Sequence, residues 1–222
     1  MKITRSLCTG GAALLTAALA LAFAPESRAN FDFTVTINVA SLVSNPNGPF
    51  SLDLQLADGS GLANSDNTVT ISNFVFTGGS ATGTPTFTSG GESGSFASSV
   101  VLTNSAFDNE FAQAFSSGVT QIQFTVDETS TVDTTPEQFN VAIFDNNFMN
   151  ITTTNPDSSD TLIESAIIRN ETIGSVKTFS STGTNGGVTA SVAAAVPEPG
   201  SAAMLLVGAL GFFARRGTFR RA

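Results

Sequence analysis

The sequence predicts an all-β fold, an antiparallel β-sandwich of jelly-roll-like or immunoglobulin-like kind. Three observations carry that prediction. Short runs alternate strictly between apolar and polar residues, dense Gly, Pro, Asn, Asp and Ser turn chemistry separates them, and no helical periodicity is sustained. Parallel topology is disfavoured, because no helical segments of adequate length separate the strands.

The first alternating run is the clearest. Phe31, Phe33, Val35, Ile37 and Val39 interleave with Asp32, Thr34, Thr36 and Asn38, the signature of a half-buried strand. Asn45-Pro46-Asn47-Gly48-Pro49 is a turn, and Phe50, Leu52, Leu54 and Leu56 then mark a second strand that ends at Asp58-Gly59-Ser60-Gly61. Thr68–Thr77 reads as a third strand with a slip. Val69 and Ile71 share one parity and Phe74 and Phe76 the other, which places a bulge near Ser72-Asn73. Gly78–Gly94 is mostly loop, with room for a short strand around Thr84–Thr88.

Phe96–Thr103, Val119–Val126 and Gln138–Phe144 are further strands. Between the first two, Ala106–Phe115 spaces Phe107, Phe111 and Phe115 four apart, which predicts a short helix or an irregular crossover. Thr129–Pro136 and Asn155–Asp160 are polar loops. Thr161–Ile168, Gly174–Ser180 and Gly187–Ala193 complete a set of roughly nine strands. Fifteen phenylalanines in Asn30–Ala195, without Tyr or Trp, suit a core between two opposed inner faces.

Both ends read as processing segments rather than as parts of the fold. Lys2 and Arg5 precede an apolar stretch, Gly10–Ala24, of signal-peptide length, and Ser27-Arg28-Ala29 sets small residues for cleavage after Ala29. The domains are therefore 1–29 (signal peptide), 30–195 (sandwich) and 196–222 (tail). The tail runs in fixed order: Val196-Pro197-Glu198-Pro199, an apolar helix over about 201–214, then Arg215, Arg216, Arg220 and Arg221. Ala202–Ala214 has thirteen residues, about 20 Å of helix. A hydrocarbon core is about 30 Å thick, so the run is a marginal, short transmembrane helix. The arginine cluster holds the C-terminus on the cytoplasmic side as a stop-transfer signal. The two prolines keep the preceding peptide extended at the outer membrane face.

That order resembles the PEP-CTERM sorting signal of bacterial exported proteins, over Val196–Arg221. The resemblance implies recognition and removal of the tail by an exosortase-type enzyme, a membrane-embedded, cysteine transpeptidase-like protein. It also implies transient residence in the inner membrane and delivery to the cell envelope, cell surface or extracellular medium. Proteins with this signal are associated with exopolysaccharide, biofilm or floc matrix.

Composition excludes several functions. Asn30–Ala195 holds sixteen Asp and Glu against Arg169 and Lys177, a formal charge of −14, so no basic footprint for nucleic acid exists. The chain has no His, and its only cysteine, Cys8, lies in the signal segment. Ser–His–Asp and Cys–His triads and ordinary zinc or copper sites are thereby ruled out within the domain. No catalytic residue, cofactor or metal ligand is assigned. Carboxylate-pair hydrolysis is open on residue type, yet nothing selects two of the sixteen acids, and the adjacent Asp127 and Glu128 would point to opposite faces. Calcium needs only oxygen ligands, and Asp58, Asn64 and Asp66, Asp145, Asn146 and Asn147, and Asp157 and Asp160 supply them in three loops. Asp and Asn are also ordinary turn residues, and that reading takes precedence.

The expectation is a non-enzymatic, exported surface or matrix protein. A carbohydrate-binding or adhesion module is the first alternative, weakened because only Phe, mostly at core parity, is available for stacking on sugars. A carboxylate-dependent glycan hydrolase is the second.

Overall fold

The computed structural model describes residues 30–59, 61, 64–129, 135–167 and 175–195. The expected signal peptide with Ala29, the Val196–Pro199 motif, the apolar run and the four tail arginines lie outside the described residues. No helix of the described residues is long and apolar enough to cross a membrane.

Twelve strands are described: β1 (Asn30–Asn38), β2 (Ser51–Ala57), β3 (Thr68–Thr77), β4 (Thr86–Phe87), β5 (Glu92–Gly94), β6 (Val100–Thr103), β7 (Asp108–Ala114), β8 (Gln121–Thr129), β9 (Glu137–Phe144), β10 (Ile163–Ile167), β11 (Lys177–Thr178) and β12 (Thr189–Ala194). They form two six-stranded sheets, ordered β12-β1-β8-β3-β6-β5 and β11-β10-β9-β2-β7-β4. Every ladder is antiparallel.

Alternation decides which residues are inside. Leu52, Leu54 and Leu56 of β2 are fully buried, and so are Phe33, Val35 and Ile37 of β1 in the other sheet. Both sets belong to one continuous core, so the sheets pack sandwich-like on each other. Each such side chain stabilises the fold by about 1.5–3 kcal/mol relative to exposure. The expected bulge in β3 is present. Its register against β8 shifts between Ser72 and Val75, with Asn73 at φ 56°. The extra residue turns Phe74 back toward the core, where its ring lies 4.6 Å from Phe96 and 5.4 Å from Phe124.

The helix expected over Ala106–Phe115 is a strand, β7, paired with β2 from Ser51↔Ala114 to Ala57↔Asp108. A spacing of four satisfies period two as well as period 3.6, so Phe111 and Phe115 both face inward, while Phe107, before the strand, is 69% exposed. What hid the alternation is that Asn109 and Gln113 also point inward. Asn109 donates to the carbonyls of Leu56 (3.3 Å) and Ala106 (2.8 Å). Gln113 accepts from the Phe96 N–H (3.1 Å) and donates to the Gly83 carbonyl (3.2 Å).

β5 was also hidden, because it sits in glycine-rich sequence. Gly94 turns the β5–β6 hairpin at φ 101°, and a Cβ there would lie 1.9 Å from the Ser99 carbonyl oxygen. β5, the seven-residue β7 and the two-residue β4, where only a possible short strand was expected, bring the described total to twelve rather than nine.

The chain ends of the domain meet. β12 runs beside β1 with Phe33 opposite Ala194, and the Ala195 N–H donates to the Asp32 carbonyl at 3.1 Å. Asn30 and Ala195 therefore leave the same end of the same sheet. The loops after β1 and β7 close the opposite end.

Candidate functional site

The outer face of the second sheet holds the densest group of carboxylates. In β2 the leucines take the inner positions, so Ser51, Asp53, Gln55 and Ala57 take the outer ones. β7 contributes Asp108, Glu110 and Ala112 to that face, with Gln55 opposite Glu110 and Asp53 opposite Ala112. β9 adds Asn140 and Ala142, opposite Gln55 and Asp53. Asp53 is 5% exposed and Asn140 8%.

Burial raises the Asp53 carboxyl well above the usual carboxylate range, and the negative charges of Glu110 and Asp108 push it the same way. Asp108 is raised by burial and by Glu92, against a hydrogen bond from the Gln55 side chain. Glu110 is raised by burial, then by Asp108 and Glu92. Two neighbouring acids have donors. Glu164 of β10 accepts from Thr161 Oγ1 and from Lys177 Nζ, both at 3.3 Å, and from Asn155. Glu92 accepts the N–H groups of Gly90 (2.7 Å), Glu110 (2.9 Å) and Ser89 (3.2 Å), tying β5 to β7.

The same face carries a cavity of about 220 Å³ whose lining includes Ser51, Thr86, Ala112, Asp145, Asn146 and Phe148. Phe148 is 73% exposed, the one ring of the cavity. It sits in the left-handed region at φ 58°, a costly conformation for a bulky side chain. Asp145 fixes it there: its carboxylate accepts the N–H groups of Asn147 (2.8 Å) and Met149 (3.1 Å). An aromatic residue is thus offered to solvent beside polar groups, where the sequence placed phenylalanine mostly inside.

A second, larger cavity of about 470 Å³ lies at the end away from Asn30 and Ala195. Leu42, Pro49, Phe50, Phe115 and Val119 line its apolar part, and Asn45, Thr82, Ser116 and Ser117 its polar part. The Gly48–Pro49 peptide beside it is cis.

The loop oxygens considered for calcium make local hydrogen bonds. Asn104 Nδ2 donates to Asn64 Oδ1 and Asp66 Oδ1, both at 2.9 Å, and the Gly61 N–H donates to Asp58 at 3.0 Å. The Asp157 carboxylate accepts the Ser159 N–H at 2.9 Å, and Asp160 accepts the Thr153 N–H at 2.9 Å. Among the described residues, no three His, Cys, Asp or Glu side chains converge as a ready metal centre. Asp127 and Glu128 do point to opposite faces of β8, with Glu128 fully buried and in contact with Ser165 Oγ at 3.0 Å.

The grouping of Asp53, Asp108 and Glu110 was invisible to sequence reasoning. On a helix, Asp108 and Glu110 would diverge by about 200°; on a strand they share a face. No protein-family model matches the chain, no curated protein matches it, and no solved structure matches it.

Proposed function

We propose that the chain is an exported cell-surface or extracellular-matrix protein, associated with exopolysaccharide or biofilm, and without catalytic activity of its own. In this reading it is cleaved after Ala29 and sorted through its C-terminal signal. Val196, Pro197, Glu198 and Pro199 form the motif read by an exosortase-type enzyme. Arg215, Arg216, Arg220 and Arg221 stop transfer through the inner membrane.

The observation that carries the reading is the linear order of the flanks, a basic and apolar leader before Ala29 and the motif, apolar run and arginine cluster after Ala195, around an all-β body. Between these flanks the described residues form a two-sheet body in which β12 pairs with β1 and the Ala195 N–H donates to the Asp32 carbonyl. Asn30 and Ala195 lie at one end of the first sheet, and the larger cavity lies at the other end.

The finer architecture is jelly-roll-like. Its support is the interleaved order, with β1-β8-β3-β6 neighbouring in one sheet and β2-β7-β4 in the other, the alternation between sheets that two nested Greek keys produce.

Intact mass and location of the native protein, with and without the pair Pro197→Ala and Pro199→Ala, test the proposal. Sorting requires that the variant keep its tail and stay in the membrane fraction. Identical processing and release of the variant would sink it.

The second reading is a carbohydrate-binding module, favoured by Phe148. Its exposed ring, with Asp145, Asn146 and Thr86 around one cavity, offers an apolar face and several polar groups to a sugar. Polysaccharide pull-down with wild type and Phe148→Ala decides it: retention that falls with the variant supports this reading, and equal retention removes it.

A further inference from the structure

We propose that β12 is an interface between copies of this chain. Ser191–Ala195 pairs antiparallel with the same residues of a second copy, about a two-fold axis at Ala193, and joins two six-stranded sheets into one. The described sheets have four edge strands, and three of them are blunted. β4 and β11 have two residues each, and β11 carries Lys177. β5 has three residues, Glu92 among them, and ends at Gly94 with φ 101°. β12 has six, Thr-Ala-Ser-Val-Ala-Ala, with no charge, no proline and no positive φ.

Backbone parity fixes which groups of β12 are open. The Ala195 N–H donates to the Asp32 carbonyl, so Thr189, Ser191 and Ala193 are the other residues that bond β1. Val192 and Ala194 therefore turn their N–H and C=O groups to the opposite side. Near the start of β12 that side is taken: the Ser181 N–H donates to the Val188 carbonyl at 2.9 Å, and Thr189 bridges Ser180. From Ser191 onward no described strand is paired along it. Side-chain burial agrees. Val192 is half-buried and Ala194 exposed, whereas Val35 and Phe33, their register partners on β1, are fully buried.

A second copy is the occupant this edge fits. No charged residue occurs from Thr178 to Ala195, in a domain otherwise rich in Asp and Glu. Two such acidic bodies repel wherever their carboxylates approach, and least along this strip. Centred on Ala193, the pairing sets Val192 against Ala194 of the second copy, and Ser191 against its Ala195. Every facing residue is small and neutral. A centre at Val192 would instead bring Ala195 of the second copy opposite Thr189, a place that Ser180 holds.

The edge belongs to the described fold, so its test stands apart from sorting. Cys8→Ser removes the native thiol, and the full chain in mild detergent then carries Ala193→Cys or Ser191→Cys under mild oxidation. In the proposed register the two Ala193 residues form a non-bonded pair with Cα atoms about 4.5 Å apart, within disulfide reach. The two Ser191 residues, on the same outer face, lie about 14 Å apart and cannot bridge. Ala193→Cys should therefore form the covalent dimer at least about ten times faster than Ser191→Cys. Mass by light scattering gives the non-covalent readout. Wild type should move toward dimer as the chain approaches about 100 μM, as befits a small interface. Val192→Pro, which removes an outward N–H and no bond to β1, should stay monomeric. Ala193→Lys sets like charges opposite each other and should do the same. If Val192→Pro fails to fold, Ala193→Lys and the cross-linking decide. A wild-type chain monomeric throughout this range would overturn the interface. So would a dimer retained by both variants, or equal cross-linking of the two cysteines, the result expected if the apolar tail alone associates.

Discussion

Asp53 and Glu110 face the same side of the β2–β7 ladder, two residues apart in register, and the charge of Glu110 adds to burial in holding the Asp53 carboxyl up. This relationship has a defined sign. A carboxylate whose folded pKa exceeds its unfolded one binds its proton more readily in the folded state. Stability is then lost as pH rises from the ordinary carboxylate value through the raised one, and regained on acidification. Urea unfolding should therefore show Asp53→Asn more stable than wild type at pH 7, by on the order of 1 kcal/mol. The difference should shrink as pH falls into that window. A variant less stable than wild type at pH 7 would show that Asp53 is stabilising as an anion.

Phe111 and Phe107 separate strand from helix in Ala106–Phe115. Phe111 is fully buried, with its ring 5.1 Å from Phe96 and 5.5 Å from Phe87. Phe111→Ala should cost about 3–5 kcal/mol through the cavity it leaves. Phe107→Ala, at an exposed position, should stay within about 0.5 kcal/mol. Comparable losses at both sites would contradict the strand. Denaturant midpoints at constant m-value read the difference.

The contrast between these residues shows what a sequence can carry. β1, β2 and the β3 bulge were legible, because their apolar residues alternate without interruption. β7 was not, since Asn109 and Gln113 take inner positions by bonding backbone groups of distant segments, a tertiary arrangement that leaves no local pattern. The acidic face was lost with β7. Phe148 was lost for another reason: its exposure follows from the turn held by Asp145, and composition counts every Phe as core. The pairing of β12 with β1, which brings Asn30 and Ala195 to one end of a sheet, is likewise a tertiary arrangement with no local pattern.

Asn104 holds the end of the core near the chain termini. Fully buried, it donates to Asn64, Asp66 and, at 3.4 Å, to Glu137, and its Oδ1 accepts the Asn67 N–H at 3.0 Å. Asn104→Asp keeps the shape but turns a donor into an acceptor against two carboxylates. It should cost about 3 kcal/mol, more than Asn104→Ala, since it adds like-charge repulsion to the lost hydrogen bonds. Equal costs for the two variants would mean that packing, not charge, sets the site. Urea unfolding of both at pH 7 gives the comparison.

Asn73 sets the parity of the rest of β3. At φ 56° it occupies the left-handed region, which Asn tolerates and β-branched residues do not. Asn73→Gly should be neutral within about 0.5 kcal/mol, while Asn73→Val should cost about 1–2 kcal/mol. Deletion of Asn73 should do far more. A one-residue shift reverses every side chain beyond it, so Phe74 and Phe76 would leave the Phe96–Phe124 cluster for solvent. The deletion mutant should unfold at a much lower urea concentration than Asn73→Val. If instead it matched Asn73→Val, the bulge would be a local irregularity, and the inward turn of Phe74 would have to come from elsewhere in the strand.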